Sequence, residues 1–310
     1  MNERLDVAMN RWLLDYKKNS VKAATYDRLR VSYDMMLRYM ISVKEVKAIT
    51  TNDIQKYLNR LADEGYARST IKKQFTLLTA FLKHEYAQGN VKNPVYLAVK
   101  LPVEEVVKKP AKKIETYSQI EQKRLLSVLS GLEHRTYGCL ILMLEAGLRS
   151  GEAQCLMWDD ILWEQKAIRV DKTLVRLSSN KGLSFVQNSA KSKTSNRTIP
   201  LSDRAMHILE RLSETAEDLN GLIFPSSDDP FLPISYCTVK YYLKKACAKA
   251  NVKYRSAHSL RHTFATNCYH RGCNVKILSK LLGHADVSIT YNIYIHLYGN
   301  ELEEMRKVIG

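Results

Sequence analysis

The chain lacks most of what would tie it to a membrane or to an oxidising compartment. No apolar run approaches the roughly 18 residues that cross a bilayer. The N-terminal MNERLDVAMN lacks the apolar core of a signal peptide. The six cysteines, Cys139, Cys155, Cys237, Cys247, Cys268 and Cys273, form no CxxC pair. Most lie in apolar helical patterns, which fits buried free thiols in a reducing cytosol better than a disulfide framework. Cys268, His270 and Cys273 are poorly spaced for zinc. There is no phosphate-cradling glycine loop and no carboxylate trio, so neither ATP nor a metal is implied and no cofactor is expected. No internal repeat is present.

Acidic residues are also in short supply. Against 48 lysines and arginines stand 32 aspartates and glutamates, a net charge of +16. Residues 1–105 hold 18 basic and 12 acidic groups, and residues 106–310 hold 30 and 20. The excess is therefore spread over both halves and is not a basic tail. That distribution suits a long polyanion touched by both halves. Solvated surface lysines are the plainer reading of charge taken alone.

What is present divides at a basic stretch. Residues 3–18 read as an amphipathic helix with Leu5, Met9, Trp12 and Leu13 on one side. A second helix spans 25–43 with Tyr33, Met36, Leu37 and Met40 as its stripe. Thr51 opens a third, ending near Gly65, and Ser69 opens a fourth that stops before Gly89-Asn90. Four helices in this length make a small all-α bundle, residues 1–97. Lys72 and Lys73, early in the fourth helix, are candidate phosphate contacts. Residues 98–114 carry two prolines and five lysines and read as an extended linker. Ser118 and Glu121 form a capping box that starts the second domain, residues 115–310. Helices are expected at about 118–130 and 136–146, with a short one after Arg149. Strand patterns follow in AIRVDKTLV, LSFVQ and NRTIPL, and helices return at 202–215, 235–250 and 256–308. The fold class is therefore mostly α with a small antiparallel sheet: a helical bundle followed by an α+β domain.

Residues 257–297 concentrate the chemistry. His258 and Arg261 are spaced i, i+3 and share a helix face. Ser256 can cap that helix, Gly272 can end it, Asn274 can cap the next and Gly283 can close it. His284 follows directly, and Tyr291 and Tyr294 lie in the next helical stretch. Two basic groups, a second histidine and a phenol brought together in this way can hold a phosphodiester and attack it.

The order of these residues resembles the C-terminal half of the phage-integrase family, the tyrosine recombinases: HSLRH, then LGH, then a tyrosine ten residues on. Upstream, AGLRSGEAQCLMWDDI is similar to the family's first arginine box, with Arg149 and Glu152. AKSKTSNRTIPL resembles the hairpin that carries the family's lysine. The resemblance covers about residues 115–298, and the N-terminal part resembles the family's helical, SAM-like DNA-clamping domain.

The resemblance implies a site-specific recombinase or integrase that cuts and rejoins double-stranded DNA through a 3′-phosphotyrosyl intermediate. Its candidate catalytic residues are Arg149, Lys191, His258, Arg261, His284 and Tyr294. The arginines would make bidentate contacts to nonbridging oxygens. His258 would bond the phosphate and accept the phenol proton, and His284 would donate to a nonbridging oxygen. Glu152 would orient Arg149. The general acid is Lys191 if the segment is aligned on the family's hairpin, and Lys193 if SKT is taken as the motif. Among eighteen tyrosines, Tyr294 is preferred for its IYIHL context and Tyr291 is expected to pack; His262 is expected to bond within the fold.

The same resemblance implies a homotetramer on two DNA sites, linked by a C-terminal helix over residues 300–310. It implies an accessory directionality factor as a further partner, a mobile-element or phage context, and no membrane partner. The helical bundle begins at the N-terminus, so no additional arm-binding domain is expected ahead of it. A type IB topoisomerase-like relaxase shares the chemistry, and a DNA-binding regulator with a dead site is the alternative of another class.

Overall fold

The computed structural model describes residues 3–103, 115–131, 134–176, 185–189, 196–216, 221–288 and 290–291; for Arg176 and residues 185–189 it describes only the backbone. The chain divides into two compact units, one containing residues 3–103 and the other containing 115–175 and 186–291. Lys191, Lys193, Tyr294 and the segment 300–310 lie outside the described residues.

The first unit is built of α1 (Leu5–Trp12), α2 (Ala23–Met36), α3 (Thr51–Asp63) and α4 (Arg68–Ala87). The stripe Leu5, Met9, Trp12 and Leu13 is buried as the spacing requires, although the chain widens to a π-helical turn over Leu13–Lys17. Thr50, one residue before the expected start, caps α3: it exchanges hydrogen bonds with Asp53, its hydroxyl accepting from the Asp53 N–H and its own N–H donating to the carboxylate. Ile54, Tyr57, Leu58, Leu61 and Ala62 then bury one face of α3 against α4. Trp12 meets Phe81 edge-on, with ring centroids 5.7 Å apart.

The second helix is shorter than its periodicity indicates. It stops at Met36, and Tyr39 is extended, with its hydroxyl donating to Glu64 Oε2 at 2.6 Å. Leu37 and Met40 are consequently exposed. The tertiary hydrogen bond has overridden a local propensity that was only moderate. Lys72 and Lys73 stand on the exposed side of α4.

In the second unit the Ser118–Glu121 capping box is formed and opens α5 (Gln119–Ser130). Next comes α6 (Arg135–Glu145), buried along its whole length from Thr136 to Leu144. A helix apolar all round must be covered all round, and α6 packs against α5, α8 (Asp203–Glu214), α9 (Tyr236–Lys249) and α10 (Ala257–His270). Between α6 and α8 lie α7 (Ser150–Gln154) and five short strands: β1 (Ile161–Leu162), β2 (Ala167–Val170), β3 (Lys172–Arg176), β4 (Phe185–Ser189) and β5 (Arg197–Pro200).

The sheet order is β1-β2-β5, all antiparallel, with Ile168 opposite Ile199 and Val170 opposite Arg197. Strands β3 and β4 pair separately. The stretch expected to be helical from 256 onward is interrupted at Gly272 and Gly283, both with left-handed φ, so α10 is followed by a distinct α11 (Val275–Leu282). Asn274 caps α11, accepting from the Lys276 N–H at 2.9 Å; Ser256 occupies the N-cap of α10 but makes no side-chain capping bond.

Of the cysteines, Cys139, Cys155 and Cys247 are buried, Cys268 and Cys273 are half-buried, and Cys237 is exposed. The expectation of buried thiols therefore holds for half of them; Cys237, near the start of α9, lies on its solvent side.

Candidate active site

The site is assembled around the C-terminal end of α11. A helix leaves its last carbonyls without intrahelical partners, and the end of the dipole attracts cations. Here three successive carbonyls each accept from a different arginine. Leu281 O accepts from Arg197 Nε at 2.6 Å, Leu282 O from Arg261 Nη2, and Gly283 O from Arg149 Nη2 at 2.9 Å. Three distant parts of the chain, β5, α10 and the N-cap of α7, are thereby tied to one turn. Gly283 makes the turn possible: its φ is +62°, and a Cβ there would lie 2.9 Å from Arg197 Nη1.

Glu152 binds the arginines from beneath. It takes Arg149 Nη1 at 2.7 Å and the Arg149 backbone N–H at 2.8 Å. The same two oxygens also accept from Arg197, Oε1 from Nη1 at 3.2 Å and Oε2 from Nη2 at 2.8 Å. Burial by itself would raise the Glu152 carboxyl, but the hydrogen bond and charge of Arg197, with the charge of Arg149, outweigh it and hold it at about 2. Arg261 Nη1 donates to Gly147 O at 2.9 Å. That carbonyl is presented by a left-handed turn at Gly147, φ +64°, immediately after α6.

Exposure separates the arginines. The Arg197 and Arg261 side chains are 6% and 3% exposed, whereas Arg149 is 34% exposed. Arg149 is thus the guanidinium most open to a ligand, although all three are tied to the α11 turn. Three guanidinium groups against one carboxylate leave the cluster strongly positive, which suits a developing phosphoryl charge.

The histidines surround this charge. His258 is exposed, and desolvation, then Arg261 and Arg149, lower its pKa from the usual imidazole value. His262 is half-buried, its ring edge-on to His258 at 4.5 Å, and burial followed by His258 and Arg261 brings it down to about 4. His284 falls to about 3 through burial first, then Arg261, Arg149, Arg197 and His258. Its Nε2 faces Arg261 Nη2 at 3.0 Å. Nε2 accepts from an arginine, so the expected donation from this atom to a phosphate oxygen would require a second proton or displacement of Arg261. Tyr291, expected to pack, is 56% exposed.

The structure therefore brings Arg149, Glu152, His258, Arg261 and His284 together. Lys72 and Lys73 belong to the other unit. Two contributors escaped the sequence reading, Arg197 and Thr290. For Arg197 a signal existed: strand periodicity puts it in phase with buried Ile199, so a charged residue sits on the inward face of β5. Among the described residues there is no group of three or more histidines, cysteines, aspartates or glutamates that could hold a metal, and no helix is long and apolar enough to cross a membrane.

A partly buried cluster of arginines and histidines on an α+β domain, in a chain that also carries a helical bundle, is the setting in which the comparisons give the family. The profile of the phage integrase family matches residues 116–301; that of the phage integrase N-terminal SAM-like domain matches residues 7–62. The chain belongs to the phage integrase family, the tyrosine recombinases. It is 30% identical to a tyrosine recombinase XerC-like protein of Caldanaerobacter subterraneus subsp. tengcongensis, over 93% of this chain and 78% of that protein. To the transposase of transposon Tn916 from Enterococcus faecalis it is 24% identical, over 89% and 70%. Among solved structures, the Tn1549 transposon integrase in complex with a circular intermediate DNA superposes with a TM-score of 0.83 at 17% identity, over 99% of both chains. A lambda integrase tetramer bound to a Holliday junction gives 0.68 at 18%, over 94% of this chain and 77% of that one. These two likenesses are of fold.

Proposed function

We propose that the protein is a site-specific recombinase that exchanges DNA strands at two sites by transesterification, with Arg149, His258, Arg261, His284 and Tyr294 as its catalytic residues and Lys191 as general acid, Lys193 being the alternative. The observation that carries this reading is the convergence of three arginines on the α11 turn beside His284. The Tyr294 phenol oxygen attacks phosphorus. The bond to the 5′ oxygen breaks, leaving a 3′-phosphotyrosine, and the lysine protonates the departing 5′ oxygen. The phenol, with an ordinary pKa of about 10, passes its proton to His258. Attack by a partner strand's 5′-hydroxyl reverses the steps. Bond energy is conserved, so the reaction consumes no ATP, and the arginines supply the charge a metal would otherwise provide.

Residues 1–97 clamp the duplex, with Lys72 and Lys73 on phosphates; residues 98–114 link the halves, and residues 115–310 carry the chemistry. In the segment 300–310, Leu302, Met305 and Ile309 recur at i, i+3 and i+7 and dock on a neighbouring subunit to join four protomers.

A nicked suicide substrate tests the core of the proposal. Wild-type protein is expected to trap a covalent adduct, and Tyr294→Phe to bind DNA without one. An adduct from that variant, or its loss from Tyr291→Phe with binding intact, rejects Tyr294. Truncation after Tyr298 tests assembly: single-site binding is expected to persist while paired-site complexes and recombination fall. A truncated protein that recombines as well as the full chain refutes docking by this segment.

A further inference from the structure

The ring of His284 is held from two sides. Nε2 lies 3.0 Å from Arg261 Nη2, and Nδ1 lies 2.7 Å from Thr290 Oγ1. An arginine has donors and no acceptor, so Nε2 must meet it with a lone pair. A neutral imidazole with its Nε2 lone pair engaged carries its single proton on Nδ1. The Thr290 hydroxyl oxygen is then the group that accepts this proton. Thr290 is fully buried, so the bond is not in competition with bulk water. The ring is neutral by the same surroundings: burial first, then the charges of Arg261, Arg149 and Arg197, oppose a second proton.

We propose that Thr290 is a positioning residue of the strand-exchange site: its hydroxyl holds His284 as the Nδ1–H tautomer and so keeps the Nε2 lone pair directed at the Arg261 guanidinium. This rests on the recombinase reading above and extends it to a residue with no phosphate contact of its own. A histidine's tautomer is set by the bond its other nitrogen makes. Arg261 demands a lone pair on Nε2, and Oγ1 satisfies the Nδ1–H that results; with Oγ1 withdrawn, that buried N–H has no acceptor, which favours the other tautomer at the cost of an Nε2–H that opposes an arginine N–H, donor against donor. Arg261 would then lose one of the partners that fix its plane, although Gly147 O and Leu282 O still accept from it and Glu152 still faces it at 3.9 Å.

Position in the chain adds a consequence. Thr290 precedes Tyr294 by four residues. The stretch that delivers the nucleophile therefore also carries the group that sets the histidine.

Histidine-selective nitrogen-15 labelling of the full chain, read by multiple-bond proton–nitrogen correlation at neutral pH, reports the tautomer directly, and a His284→Gln variant identifies the signals of that ring. Wild type is expected to show Nδ1–H. Thr290→Val keeps the buried shape but removes the acceptor, and is expected to shift His284 to Nε2–H or to a mixture. Thr290→Ser is expected to restore the wild-type pattern. Covalent adduct formation on the nicked substrate is expected to slow about ten-fold in the valine variant, the worth of one hydrogen bond, and to recover in the serine variant.

Nε2–H in wild type, or Nδ1–H retained in Thr290→Val, overturns the proposal. Loss of activity without a tautomer shift assigns Thr290 a packing role and overturns it as well, as does a tautomer shift with an unchanged cleavage rate. If wild type forms no adduct at all, the recombinase reading fails, whereas the tautomer measurement still decides what Thr290 does.

Discussion

Arg197 Nη2 lies 2.8 Å from Glu152 Oε2, with both side chains more than nine-tenths buried. The pair joins β5 to α7, and through the Arg197 Nε bond to Leu281 O it reaches the end of α11 as well. A buried ion pair is a weak source of stability, because desolvating both charges offsets most of their attraction. Its contribution here is positional. Glu152 is held in place by Arg197 and in turn holds Arg149, the guanidinium that remains open to solvent.

Removal of one partner should expose that balance. Arg197→Ala leaves Glu152 buried with less compensation and is expected to destabilise the protein by about 3–5 kcal/mol. Glu152→Gln in the same background should recover part of the loss, so the two changes are expected to be strongly non-additive. Urea unfolding of the two single variants and the double variant measures the coupling; simple addition of the two effects would contradict the pairing.

Acid stability follows from the same groups. The Glu152 pKa is lowered from its ordinary 4.5 to about 2, so its contribution is complete above about 4.5 and is lost as pH falls toward 2. The His284 pKa is lowered from 6.5 to about 3. The unfolded chain therefore binds the extra proton first, and stability declines as pH drops below about 6.5. The two act in the same direction. Melting temperature is expected to fall in two stages on acidification, and Glu152→Gln to flatten the lower stage selectively. An unchanged acid limb in that variant would refute the assignment.

Two glycines offer a controlled comparison of backbone and steric strain. Gly65 has φ +79° and nothing within 4 Å of a built Cβ; Gly147 has φ +64° and a Cβ that would lie 2.3 Å from Phe264 Cδ1. Gly65→Ala is expected to cost about 1 kcal/mol from its backbone alone. Gly147→Ala should cost more, and because Gly147 O accepts from Arg261, adduct formation should fall with it. Thermal melts and the nicked-substrate assay distinguish the two variants; equal effects on stability would exclude the Phe264 clash.

The DNA-clamping proposal makes a separate demand on salt dependence. If Lys72 and Lys73 meet phosphates, alanine at either is expected to weaken binding similarly for all sequences and to reduce the log–log salt slope by about one. A slope that does not change marks these lysines as solvated bystanders.

Much of the framework was legible from local chemistry. The Ser118–Glu121 box, the helix stops at Gly89, Gly272 and Gly283, and the pairing of Arg149 with Glu152 each depend on residues a few positions apart. The end of α2 was not, because Tyr39 leaves the helix to reach Glu64, 25 residues away. The inward-facing Arg197 had a periodicity signal, but its partners lie 45 and 84 residues distant, and no local pattern names them.

The sequence by itself determined which groups the proposed chemistry can draw on: the ordered arginines, histidines and tyrosine, the left-handed glycine turns and the positive charge in both halves. These are matters of residue type, spacing and backbone freedom, which act over short stretches of chain. Only the tertiary structure decided how the groups divide their work. All three arginines bond the carbonyls of the α11 turn, but Arg149 alone of them is left substantially exposed, and His284 Nε2 is an acceptor because it faces an arginine while a buried threonine meets Nδ1. Burial, partner identity and tautomer depend on what the folded chain packs around a side chain, and residue spacing alone does not set them.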